Sequence, residues 1–154
     1  MNYETLLLEA DALGLIVKEV NLITRKGRCF GNRIAIDINI TTDAEKACIL
    51  REEIEHYNTT VGDITDQTKL INRKQEHLAR SIAIEKLCSL EKIVKAIKNG
   101  AVDRYEVAEF LNITNVFFDE AVEYHRRKHG ICCESNGVLI YFEPCFGILR
   151  NDIF

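Results

Sequence analysis

Isoleucine recurs at every second position through Arg33-Ile34-Ala35-Ile36-Asp37-Ile38-Asn39-Ile40. A period of two sends alternate side chains to opposite faces, so this run predicts a strand with one buried face. The period then changes. Ala47, Leu50, Ile54 and Tyr57 are spaced by three and four, which predicts a helix with one apolar face. Thr42 and Glu45 stand ahead of it at capping-box spacing. Upstream, Leu6, Leu7, Ala10 and Leu13 predict a short amphipathic helix over 3–13, ended by Gly14. Leu15 to Val20 and Leu22-Ile23 read as strand, with a turn at Lys26-Gly27 and a second turn or bulge at Cys29-Phe30-Gly31-Asn32.

Beyond the central helix, residues 58–70 lose periodicity and read as a loop. A long helix is expected over 72–99, with Ile82, Leu87, Leu90, Ile93, Val94 and Ile97 on its core side and Gly100 as its stop. Asp103 and Glu106 open a short helix to Leu111, and Thr114 caps another to about His129, giving helix-turn-helix proportions. Val138 to Phe142 is expected as the last strand, stopped by Pro144. The prediction is an α+β fold in one domain over 1–154. Its parts are a core over 1–100, a helical pair over 101–130, and a strand and tail over 131–154.

The central helix carries the candidate chemistry. Glu52 and His56 are four apart, so they project from one side, one turn apart, and Glu53 lies about 100° round. This is the H-E-x-x-H zinc helix with glutamate in place of the first histidine. Two ligands at that spacing grip one metal, and the neighbouring carboxylate serves as proton acceptor for water held there. The same five residues also arise by chance on solvated helix faces. Glu76 is the candidate third ligand, since Ala79 and Ala83 after it allow close helix approach. Taken without the first helix it is a solvated carboxylate. His77 points about 100° away from Glu76 and reads as a surface histidine, the reserve ligand. Asp63 stands in a Gly-Asp turn, either as a plain turn carboxylate or as an acceptor orienting the His56 ring. His125 and His129 imitate a metal pair, but the basic run beside them suggests a solvated face.

Charge narrows the partners. Residues 1–100 carry fifteen Lys/Arg and fifteen Asp/Glu, whereas residues from Ala101 onward carry five against nine. That second helix of the pair bears Asp119, Glu120 and Glu123, and its basic run is confined to Arg126-Arg127-Lys128. Phosphate contact needs Lys or Arg on the docking face, so nucleic acid is not the expected partner. No apolar stretch reaches the 18 residues of a membrane span, and Met1-Asn2-Tyr3-Glu4 lacks the build of a signal peptide, so a cytoplasmic protein is expected. The six cysteines (Cys29, Cys48, Cys88, Cys132, Cys133, Cys145) form no C-x-x-C pair and read as buried thiols.

As a set these motifs resemble the ImmA/IrrE-type metallopeptidases, most of all the compact versions found near phage repressor genes. The residues that carry the resemblance are Gly31 to Ile36, Glu45 to Tyr57, Thr59 to Ile64, and Glu76 with Ala79 and Ala83 as E-x-x-A-x-x-x-A. Tyr105 to Leu111 with Ile113-Thr114 match the C-terminal helices. The resemblance implies a zincin-like fold, in which a small twisted sheet packs on an active-site helix and a second, ligand-bearing helix. It implies a divalent metal, zinc first and manganese second, held by Glu52, His56 and Glu76, with Glu53 as general base. It implies cleavage of a repressor or other regulator encoded nearby. Two rival functions stand beside this: a catalytically weak member that only binds its regulator, and a DNA-associated regulator using the 103–129 helices. The departures from the family are Glu52, where histidine is usual, and Glu55, where glycine is usual and whose charge is expected beside the site. Two carboxylates bring the first shell near zero charge, which acidifies bound water less and favours harder ions.

Overall fold

The computed structural model describes residues 1–62 and 68–150. Asp63 and the tail 151–154 lie outside the described residues. The architecture is mixed α+β, with two three-stranded sheets, and the chain divides into two compact units, Met1–Ala83 and Ile84–Phe154.

The first unit contains α1 (Tyr3–Ala12), β1 (Ile16–Val20), β2 (Gly27–Phe30), β3 (Arg33–Asp37), α2 (Asp43–Thr59) and the start of α3 (Leu70–Leu87). Its sheet has the order β1-β3-β2, with β1 parallel and β2 antiparallel to β3, so β2 is an edge. Ile34 and Ile36 of β3, Leu6 and Ala10 of α1, and Ala47, Leu50 and Ile54 of α2 form one buried cluster. Each large aliphatic side chain there contributes about 1.5–3 kcal/mol of burial energy. Thr42 caps α2, its hydroxyl accepting from the Glu45 N–H at 3.3 Å.

Several expectations are corrected here. The alternation of β3 ends at Asp37, because its carboxylate accepts from the Leu22 and Asn39 N–H groups at 3.4 and 3.2 Å and turns the chain. Ile38 is consequently 56% exposed, and burial returns only at Ile40. Leu22-Ile23 is not strand, and Ile23 stands 96% exposed. Gly27, Cys29 and Phe30 are not turns but strand β2; the turn is Gly31-Asn32, with Gly31 at φ +57°. Tyr57 is exposed and takes no part in the core face of α2.

The second unit contains α4 (Leu90–Lys98), α5 (Arg104–Leu111), α6 (Asn115–His129) and an antiparallel sheet, β4 (Cys132–Ser135), β5 (Val138–Tyr141) and β6 (Gly147–Arg150). The expected long helix is therefore two. Ser89 interrupts it, its hydroxyl capping α4 by accepting from the Lys92 N–H at 3.4 Å. The apolar period runs across the break, since Leu87, Ile93, Val94 and Ile97 are all buried. Val138–Tyr141 is the central strand of its sheet, not the last, and β6 follows Pro144. His125 is fully buried, not on a solvated face, because it lies on the same side of α6 as Phe118 and Ala121. Its Nε2 donates to the Cys88 carbonyl at 2.7 Å. Cys48 and Cys88 are buried thiols, whereas Cys145 is exposed. Among the described residues no helix is long and apolar enough to cross a membrane.

Candidate metal centre

The helical period of α2 that fully buries Ala47, Leu50 and Ile54 leaves Glu52, Glu53 and His56 on a side that is only partly buried. The first turns of α3 run against that side in the opposite direction. His56 Nε2 and Glu76 Oε2 meet at 3.4 Å, and one turn further along Arg80 donates to Glu52 Oε2. Glu52, His56 and Glu76 each offer a ligand atom, and these atoms lie within 4.8 Å of one another. Among the described residues this is the one group of that kind, and it could hold a metal ion. Two ligand atoms on a tetrahedral ion with bonds near 2.0–2.1 Å stand roughly 3.3 Å apart. The His56–Glu76 separation already matches that edge. The donor set fits a divalent ion in kind as well, one imidazole nitrogen with two carboxylate oxygens.

The ring is held from behind. Thr60 ends α2, and its hydroxyl lies 3.2 Å from His56 Nδ1. An Nδ1–H donating to Thr60 leaves Nε2 for Glu76: the protonated ring donates to that carboxylate, and the neutral ring offers its Nε2 lone pair to a metal. Burial pushes the His56 pKa down, but the Glu76 hydrogen bond and the charges of Glu76, Glu53 and Glu52 outweigh it, and the net shift is upward. The hydrogen bond from His56 holds Glu76 below the usual carboxylate range against its own burial, helped by Arg80 and Arg25. Gln75, next to Glu76, accepts from the Val61 N–H at 2.6 Å and ties the chain just after α2 to α3.

Glu53 is set apart. It faces β2, where the Cys29 backbone N–H donates to its carboxylate. Burial, with the neighbouring charges of Glu52 and Glu76, pushes its carboxyl up from 4.5 to about 7. Gly27 explains how the strand comes so close. A Cβ there would lie 2.5 Å from Ile49 Cγ2 and 2.8 Å from Glu53 Oε1. Gly27→Ala is therefore expected to push β2 off α2 and lower stability by about 1–3 kcal/mol, read by urea unfolding; an unchanged midpoint would show that the strand gives way freely.

Sequence reasoning reached Glu52, Glu53, His56 and Glu76. It missed Thr60, Arg80 and Gly27, although Thr60 follows His56 by four and Arg80 follows Glu76 by four, the spacing that puts each on its neighbour's face. His77, the reserve ligand, is exposed and outside the group. Glu55 does not add an open charge to the site: it is buried, about 100° round α2 from His56, and Arg51 Nη1 donates to it at 2.9 Å. In the second unit the basic run is engaged in ion pairs, Arg126 and Arg127 with Glu123 and Lys128 with Glu85, which gives no support to phosphate contact.

No protein-family model matches the chain, and no curated protein or solved structure matches it.

Proposed function

We propose that the chain is a metal-dependent endopeptidase of zincin-like build that cleaves a repressor or other regulator protein of a phage or mobile element. The observation that supports the hydrolase reading is the convergence of Glu52, His56 and Glu76, whose ligand atoms lie within 4.8 Å of one another, with the largely desolvated Glu53 carboxyl beside them. The choice of a regulator as substrate rests on the family resemblance. Zinc suits the set best, and manganese is the harder ion that two carboxylates also accept.

When bound, the ion supplies a Lewis acid for the scissile carbonyl and acidifies a water. Glu53 then does the proton work. Its carboxylate takes a proton from the attacking water and gives it to the amide nitrogen as the C–N bond breaks. Burial against β2 keeps that carboxylate basic, and the Cys29 N–H fixes its direction. Thr60 fixes the His56 ring, so the geometry does not need to be rebuilt in each turnover.

His56→Ala tests the site. The variant is expected to lose stoichiometric Co²⁺ or Zn²⁺ while keeping its circular dichroism spectrum, since His56 lies outside the buried cluster of Ala47, Leu50 and Ile54 that holds α2. Equal metal content in variant and wild type overturns the site. Incubation of the metal-loaded protein with the repressor encoded beside its gene, read by mass of the fragments, tests the substrate.

A further inference from the structure

Glu52 and Glu76 are two carboxylates of one small site, with Glu53 a third close by. Left alone, three like charges in partly desolvated surroundings repel and push one another toward the neutral form. The chain places a cation among them. Arg80 lies one turn after Glu76 on α3, and Glu52 one turn before His56 on α2. The two contacts, Glu52–Arg80 and His56–Glu76, are therefore adjacent rungs between antiparallel helices. The Arg80 and Glu52 side chains are 29% and 19% exposed, so the pair is screened less than a surface ion pair. Arg80 also bears on Glu76, whose carboxylate it helps to keep ionised.

We propose that Arg80 is the built-in counter-ion of Glu52, competing with a divalent metal for that carboxylate and restoring positive charge to the site once metal is bound. The inference rests on the metal-centre reading above. Leaving Glu53 aside in both cases, a divalent ion with Glu52, His56 and Glu76 sums to zero, and counting the paired Arg80 returns the sum to +1, as with two histidines and one glutamate. Glu52 with Arg80 thus stands in electrostatically for a neutral ligand. A metal entering the site meets a carboxylate already engaged, so Arg80 weakens metal binding. A residue that merely supported the fold would do the opposite, since its loss would loosen the site.

The test is Co²⁺ titration of the full chain, read by visible absorption and by competition with a chelator. Arg80→Gln is expected to bind Co²⁺ about tenfold more tightly, because the metal no longer competes with the guanidinium for the Glu52 carboxylate. Arg80→Lys keeps the charge and is expected to stay within about threefold of wild type. In a Glu52→Gln background, where there is no carboxylate to compete for, Arg80→Gln is expected to change affinity by less than about threefold. A gain below threefold in the wild-type background, a weaker site, or an equal gain in both backgrounds overturns the proposal. Arg80→Met, of similar length, repeats the measurement should the Gln variant not fold. His56→Ala, run alongside, separates the two readings. If it binds Co²⁺ as wild type does, the metal centre itself fails; if it loses Co²⁺ while Arg80→Gln matches wild type, only the role of Arg80 falls.

Discussion

Glu53→Gln is expected to keep its metal, to lose roughly 10²-fold or more in peptidase activity, and to be more stable than wild type when metal-free above neutral pH. Metal retention follows from direction, since Glu53 faces β2 and the Cys29 N–H and lies outside the group of Glu52, His56 and Glu76, and the loss of activity follows from the base role proposed for it. The third follows from its proton. Burial first, and then Glu52 and Glu76, push the carboxyl from 4.5 to about 7, so the folded protein holds this proton more tightly than the unfolded chain does. The stability contributed by that proton is fully present below about pH 4.5 and is lost as pH rises through about 7. By about pH 8 the loss approaches 3 kcal/mol as an upper bound. Glutamine is neutral throughout and does not suffer it. Urea unfolding of both proteins in chelator, at about pH 4.5 and about pH 8, should show a gap that opens with pH. A gap that does not change with pH means that the folded site does not hold the Glu53 proton. A variant as active as wild type reassigns the base.

The site around Glu53 is legible in the sequence only in part. The i, i+4 spacing of Glu52 and His56 is a property of one helix, so it was readable, as was the buried face of β3 at Ile34 and Ile36. Glu76 was readable only because Ala79 and Ala83 after it are small and, as found, buried. The role of Gly27 was not, because it depends on how near an edge strand comes to another element. β2, Gly27-Arg28-Cys29-Phe30, has too short an alternation to announce itself, and Gly-containing pairs around it look like turns. The break at Ser89 was hidden for a related reason: two consecutive helices can share one apolar period while the chain bends between them. Arg80 carries no signal of its own in the sequence, because its pairing with Glu52 lies across two helices.

Glu55 is the plainest case, and it carries the largest expected stability effect. As the residue before His56 it reads as one more charge beside the site. In the fold it is 2% exposed, about 100° round α2 from His56, against Arg51 at 1% exposed. Arg51 is the largest fully buried side chain among the described residues, and its guanidinium also donates to both carboxylate oxygens of Glu9 on α1. The arrangement fixes α1 against α2, but the energy does not come from the charges as such. Desolvating an ion pair roughly cancels its attraction, whereas removing one member leaves the other charge buried. Arg51→Ala is therefore expected to destabilise the protein by about 3–5 kcal/mol. Arg51→Met with Glu55→Leu, which removes both charges and refills the space, is expected to recover most of that loss. Urea unfolding of the metal-free proteins decides it. If Arg51→Ala stays within about 1 kcal/mol of wild type, water reaches the pair and the burial argument fails. If the double variant is as unstable as the single one, the ion pair contributes packing or direction that apolar side chains do not replace.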